Sequence, residues 1–179
     1  MTEVVEIASA RLELAVKRGY RNWKTRFKEA FGRETRFAHL SDPTLAVLAR
    51  GKDEGTFYLF DLIMSLEHLG SGFEFGELDP RKKIAVMDRY LFLLDRLRYE
   101  YMKRKGWLAE YPGEEFSLVE LLLSYERLAP RLQAETPILS KDHPAYEGFS
   151  KMSAFEREEF IRRLIPEALR ELEDQSTTL

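Results

Sequence analysis

Hydrophobic positions repeat with a helical period along almost the whole chain. In the first segment, apolar residues recur at spacings that keep one phase, at Val5, Ala8, Leu12, Val16, Tyr20, Trp23 and Phe27. This spacing puts them on one stripe and predicts an amphipathic helix from about Glu3 to Phe31, ended by Gly32.

Two Asp-Pro pairs mark further helix starts, since Asp caps free amide groups and proline suits the first helical turn. Asp42-Pro43 predicts a short helix that ends near Arg50, and Asp79-Pro80 predicts a long helix that runs to Lys105. On the long helix we expect these residues to face the core: Ile84, Met87, Leu91, Leu94, Leu97 and Tyr101. Between the two lies a segment, from about Glu54 to Leu69, that is apolar nearly all round and should be central in the fold.

The C-terminal part of the chain carries two capping boxes, Ser117 with Glu120 and Ser153 with Glu156. The first helix should break at or before Pro130, and Pro166 should kink or split the last one. The stretch between them, 133–152, is expected to wrap the surface.

The predicted fold class is all-α: a single-domain orthogonal or irregular bundle of five to six main helices plus a short helix. The domain should cover residues 1–174, and residues 175–179 should form a frayed C-terminal tail. Strand signals are weak. The stretch from Gly70 to Gly76 is expected to be a loop or a short extended piece. Brief pairing is considered only for Phe73 and Phe75 in that stretch and for the separate segment from Arg36 to His39.

Composition excludes several function classes. The 179 residues include no cysteine, which removes thiol nucleophiles, cysteine zinc sites and disulfides. No apolar run approaches the about 20 residues of a membrane span, and the N-terminus does not read as a secretory leader, so no membrane association and a cytoplasmic location are expected.

Motifs for metals and nucleotides are missing. The three histidines, His39, His68 and His143, do not form a helical zinc pattern. The glycine spacing from Gly70 to Gly76 does not match a dinucleotide-binding loop. We therefore expect no metal and no cofactor.

The most suggestive polar group lies on the central segment. Asp61, Ser65 and His68 follow one stripe, and Tyr58 lies one turn earlier. This stripe predicts either a small-molecule or metal-dependent site or, as amphipathic patterning favours, the wet face of a mostly buried helix.

Paired carboxylates form a second candidate. Asp88 and Asp95 lie two turns apart on the long helix, as in sites that perform general acid–base catalysis. Because Arg89 and Arg96 adjoin them, solvated ion pairs are the preferred interpretation.

Charge is unevenly distributed along the chain. Eight basic and two acidic residues lie between Lys17 and Arg36, and Lys17, Arg21, Lys24 and Lys28 form a basic stripe that suits an anion or nucleic acid. The stretch from Glu110 to Glu126 holds five acidic residues and no Lys or Arg. The isoelectric point of the chain is about 5.8, which is not that of a basic protein, so nucleic-acid binding is not the favoured interpretation.

These features favour a non-enzymatic cytoplasmic helical protein that acts through protein–protein contacts, with self-association into a homodimer. The basis is an aromatic content of 12% combined with opposed charge blocks. The alternatives are the site at Tyr58, Asp61, Ser65 and His68, and nucleic-acid binding through the basic stripe of the first helix.

Overall fold

The computed structural model describes the backbone of residues 2–177 and their side chains, except those of residues 2–6, 8, 9, 12, 53 and 177. The chain is mostly helical, with 70% helix and 4% strand, which confirms the all-α class. The α-helices are α1 (Thr2–Phe27), α2 (Asp42–Arg50), α3 (Asp53–Leu66), α4 (Pro80–Arg104), α5 (Leu118–Leu123), α6 (Tyr125–Gln133), α7 (Tyr146–Ser150) and α8 (Ala154–Thr177). Two 3-10 turns cover Phe37–His39 and Gly72–Glu77.

The small sheet lies away from the segments considered for pairing. Strands β1 (Leu108–Glu110) and β2 (Ile138–Leu139) form an antiparallel pair. Phe73 and Phe75 instead belong to the second 3-10 turn, because Ser71 and Glu74 form a capping box there. Arg36 makes an isolated bridge with Ser117.

Helix α3 is central, as its apolar sequence predicts. It packs against α1, α2, α4 and the turn Gly72–Glu77. Leu59, Leu62, Ile63 and Met64 are all buried. The helix ends at Leu66 rather than Leu69, and His68 follows with a positive φ of 59°.

Helix α1 is shorter than predicted. It ends at Phe27, because Lys28 adopts a left-handed φ of 57°, which a right-handed helix cannot continue. Phe31 nevertheless stacks on Trp23, with ring centroids 4.4 Å apart. The apolar repeat in the sequence therefore continues past the end of α1 because the following loop folds back and places Phe31 against the same face as Trp23. Val5, Ala8 and Leu12, predicted on the inward stripe, have side chains outside the described residues.

Helix α4 begins as predicted, with Asp79 accepting from the Lys82 amide and Pro80 in the first turn. Its inward face was predicted wrongly in the N-terminal half. Ile84 and Leu91 are exposed, and the core is reached there by Val86, Tyr90 and Leu93. In the C-terminal half, Leu94, Leu97 and Tyr101 are buried as predicted. Apolar residues lie on more than one side of α4, so the period alone selected the wrong stripe.

Several caps and proline positions differ in detail. The N-cap of α2 is Ser41, whose hydroxyl accepts from the Thr44 amide, and Asp42 is the first helical residue. Both capping boxes form as predicted. The helix capped by Ser117 ends before Pro130, as predicted, but its break falls at Ser124, and Pro130 lies on the exposed side of α6. Pro166 lies within an unsplit α8 that extends to Thr177.

In the described part of the chain, no helix is both long enough and apolar enough to traverse a membrane.

Candidate functional site

The polar stripe of α3 is not a wet face. Asp61 is 2% exposed and lies where α1, α3 and the turn Gly72–Glu77 meet. Its carboxylate accepts from the Asn22 side-chain amide at 3.1 Å and from the backbone amide of Gly72 at 3.0 Å. Both carboxylate oxygens of Asp61 therefore have partners within the fold, as buried charges require.

The other members of the stripe do not converge with Asp61 on a common space. Ser65 is buried, and its Cβ and Oγ lie 3.1 Å from the point where a Cβ at Gly19 would stand, which indicates close helix packing. His68 is exposed beyond the end of α3. Tyr58 packs edge-on against Phe27 at 5.4 Å between ring centroids. None of these stripe residues lines any of five surface cavities found among the described residues.

The basic stripe of α1 is open to solvent. Lys17, Arg21, Lys24 and Lys28 are all exposed. The principal contacts of α1 are with α3, and those of α4 are with α2, α3 and β1. The basic residues of α1 and α4 therefore lie on helices that are not principal packing partners.

The two carboxylates on α4 lie in different environments. Asp88 is exposed, whereas Asp95 is half-buried and lines a cavity. The solvated ion pairs predicted for this helix do not form with the adjacent arginines. Arg89 instead binds Glu67 at 3.0 Å and Glu126 at 3.2 Å.

The cavity lined by Asp95 lies between α4, α8 and the segment 133–137, and its volume is about 410 Å³. Helix α4 contributes Asp95, Arg96 and Tyr99, which sit on neighbouring positions of one side of the helix. We name this space the α4–α8 cleft.

Arg96 is the most unusual group in the cleft. It is only 3% exposed, yet it forms no ion pair with any described residue. Its Nη2 donates to the Leu132 carbonyl at 3.3 Å, and its Nε is buried without a partner. The guanidinium lies over the Phe92 ring at 4.1 Å, and Tyr99 is the next ring at 5.7 Å.

Burial shifts the pKa of all three α4 side chains that line the cleft. It raises the pKa of Asp95, an effect that Arg96, Arg98 and Arg162 oppose by attraction. Burial also raises the pKa of Tyr99, so its hydroxyl keeps its proton at neutral pH. Burial lowers the pKa of Arg96, but a guanidinium remains protonated in proteins.

The opposite wall of the cleft comes from α8. Arg162 binds Glu158 at 2.7 Å across one helical turn, so these two charges balance each other. Ile161 and Ile165 from α8 and Pro137 from the facing segment add apolar surface. The cleft thus combines an apolar wall with polar groups of α4 that have few or no partners.

The sequence suggested Asp95 as half of a carboxylate pair with Asp88, with solvated ion pairs to Arg89 and Arg96 as the preferred interpretation, and it gave no indication of Tyr99, Glu158 or Arg162. The available signal was local: Asp95 and Arg96 interrupt an apolar run from Leu91 to Leu97. Two adjacent charges within such a run have to be paired, exposed or placed at a cavity. The contributions from α8 had no comparable signal, because they depend on how distant segments pack.

A separate feature is the N-terminal half of α1. Packing of α1 on α3 involves residues near its C-terminal end, such as Gly19, Asn22 and Trp23. Toward the N-terminus, Ile7 and Leu14 are 52% and 64% exposed. We name residues 2–14 the outer half of α1.

Metal-ligating groups of three or more His, Cys, Asp or Glu side chains are not found among the described residues. Comparisons with protein-family models, with curated proteins and with solved structures found no match.

Proposed function

We propose that this chain is a non-enzymatic, cytoplasmic helical protein that acts through protein–protein contact, with a second copy of itself as partner. The observation that carries the proposal is the outer half of α1, which presents Ile7 and Leu14 to solvent. Both lie on one face, because seven residues make close to two helical turns.

That face is distinct from the one that packs on α3. Leu14 and the buried Trp23 are nine residues apart, which is about two and a half turns, so they point in opposite directions. Ile7 and Leu14 are therefore not an extension of the α3 interface. Exposed apolar surface of this kind is typical of sites that bind another protein.

The charge layout of α1 favours a second copy over an unrelated partner. Residues 1–13 hold three acidic residues and one basic residue, whereas residues 17–27 hold five basic residues and no acidic one. Two α1 helices that pair antiparallel place the acidic half of each beside the basic half of the other. Such a pairing is symmetric, as closed dimers generally are.

The test is the oligomeric state of the full chain, measured by sedimentation over a concentration series. We expect a concentration-dependent dimer that weakens as salt is raised, because opposite charges contribute to it. The double variant Ile7→Gln/Leu14→Gln should remain a monomer, since glutamine preserves helix propensity and charge but removes the apolar contact.

The matched control is Phe155→Gln, which removes an apolar side chain that is 70% exposed on α8. That variant should dimerise like the unchanged protein. A monomer at every concentration, or equal loss in both variants, would contradict the proposal.

Anion binding by Lys17, Arg21, Lys24 and Lys28 is the second candidate, supported by the exposure of all four side chains. It predicts retention on a polyanion column that falls steeply with salt, and Lys17→Gln/Lys24→Gln should reduce that retention. Passage through the column at low salt without retention would exclude it.

A further inference from the structure

The α4–α8 cleft contains two opposite charges, Asp95 and Arg96, that attract each other but form no ion pair with each other or with another described side chain. Asp95 forms no hydrogen bond or ion pair with the described residues, and Arg96 donates only to the Leu132 carbonyl. Both side chains line the same cavity. A buried guanidinium that lacks a carboxylate has lost its hydration without an equivalent partner.

The geometry limits where a partner for Arg96 can bind. The Arg96 guanidinium carbon lies 4.1 Å from the centroid of the Phe92 ring, and Nη2 donates to the Leu132 carbonyl. Nε is fully buried, so Nη1, which makes no hydrogen bond with a described residue, is the nitrogen that remains for a ligand, and guanidinium nitrogens match carboxylate oxygens.

The charges that line the cleft argue against a ligand that carries only negative charge. Glu158 and Arg162 neutralise each other at 2.7 Å, and Glu135 adds a further negative charge to the rim. With the Glu158–Arg162 pair set aside, the lining holds two negative groups, Asp95 and Glu135, and one positive group, Arg96. On the α4 wall, Asp95 and Arg96 form one negative and one positive site. A molecule that carries both charges satisfies both sites, whereas an anion alone would meet repulsion from Asp95 and Glu135.

The volume and the wall residues of the cleft further limit the class of ligand that fits it. Its volume of about 410 Å³ lies at the small end of the range, about 300–1,000 Å³, that small-molecule sites occupy. Ile161, Ile165 and Pro137 offer an apolar wall, and the Tyr99 hydroxyl offers a hydrogen-bond donor.

We propose that the α4–α8 cleft binds a small zwitterion of the size of a free amino acid with an apolar side chain. Its carboxylate is bound by Arg96, its ammonium group by Asp95, and its side chain lies against Ile161 and Ile165. This site is separate from the outer half of α1 and goes beyond the proposed protein contact.

The experiment measures thermal stabilisation of the full chain by a set of free L-amino acids, followed by titration calorimetry. A ligand that binds only the folded state raises Tm by mass action. L-leucine is compared with isocaproate, which lacks the ammonium group, and with isoamylamine, which lacks the carboxylate. We expect saturable binding of at least one amino acid with an apolar side chain, and weaker binding of both single-charge analogues.

Substitutions of Arg96 and Asp95 test whether the ligand binds in the α4–α8 cleft. Arg96→Met should weaken binding about 10- to 100-fold, the size expected for loss of a hydrogen bond to a charged group. Asp95→Asn should weaken it by a similar factor. The control Arg163→Met changes an exposed arginine next to Arg162 but outside the cleft, and it should leave the affinity unchanged.

Two outcomes would overturn the proposal. One is that no amino acid stabilises the protein more than isocaproate and isoamylamine do. The other is that binding occurs but is equal in Arg96→Met and Arg163→Met. Neither outcome depends on dimerisation, and Ile7→Gln/Leu14→Gln should bind the ligand like the unchanged chain.

Discussion

Two buried carboxylate environments in this molecule look alike in sequence and differ in structure. Asp61 on α3 and Asp95 on α4 both interrupt helices rich in apolar residues. Asp61 accepts from Asn22 and Gly72, which ties α1 and the turn Gly72–Glu77 to α3. Asp95 has no such bonds and borders a cavity beside Arg96, a guanidinium that also lacks an ion pair.

The difference separates a structural polar group from a candidate binding group. A buried polar group whose hydrogen bonds are satisfied by the fold stabilises that fold, and its oxygens are not available to a ligand. A half-buried group without partners, placed at a cavity, costs stability and gains a partner only when a ligand binds. This comparison predicts opposite effects for substitutions in the two regions.

The largest effect is expected at Asp61. The change Asp61→Ala removes two hydrogen bonds and leaves the buried amide of Gly72 without an acceptor. The free energy of unfolding should fall by about 3 kcal/mol, because hydrogen bonds to charged groups and buried unsatisfied donors both contribute at that scale. Urea unfolding followed by circular dichroism measures it.

The control for Asp61 is Asp88→Ala, which removes an exposed carboxylate from α4. It should change the free energy of unfolding by less than about 0.5 kcal/mol. If Asp61→Ala were as mild as this control, its two hydrogen bonds would not anchor α1 and the turn.

A smaller effect of opposite sign is expected at Arg96. Replacement by methionine removes a buried charge that has no ion-pair partner and keeps an apolar chain of similar length. We expect the free energy of unfolding to stay unchanged or to rise by about 1 kcal/mol. The same unfolding experiment applies.

Arg89 supplies the matched comparison on the same helix. Its guanidinium lies 4.5 Å from the Tyr125 ring centroid, much as Arg96 lies over Phe92, but it binds Glu67 and Glu126. Arg89→Met should therefore lower the free energy of unfolding by about 1–2 kcal/mol. A loss at Arg96 as large as that at Arg89 would show that Arg96 is satisfied within the fold.

The sequence predicted where helices begin better than it predicted which side of each helix is buried. The starts of α4 and α8 were predictable because capping residues act on amides three positions away, as Asp79 and Ser153 do. The outward position of Ile84 was not predictable, since apolar residues on two sides of α4 leave the inward side to be chosen by its neighbours. The burial of Asp61 was likewise decided by partners from distant segments, Asn22 and Gly72.

The smallest effect is a pH dependence that arises from Asp95. Burial raises the pKa of this carboxyl in the folded state, so the folded chain holds the proton more tightly than the unfolded chain does. Stability contributed by Asp95 is therefore present at low pH and is lost as the pH rises from the ordinary Asp pKa of 3.8 through the raised value. The variant Asp95→Asn has no such loss, so its stability relative to the unchanged protein should increase over that interval and then level off.

The same pH dependence can be measured in the Arg96→Met variant, which tests the coupling between Asp95 and Arg96. Attraction to Arg96 opposes the rise in the Asp95 pKa, so its removal should enlarge the pH-dependent loss. Unfolding free energies of Asp95→Asn, Arg96→Met and the double variant, measured across mildly acidic pH, give the coupling between the two side chains directly. If the unchanged protein instead gained stability over Asp95→Asn as the pH rises, Asp95 would be stabilised as a carboxylate within the fold. The contrast with Asp61 would then disappear, because both carboxylates would be satisfied without a ligand.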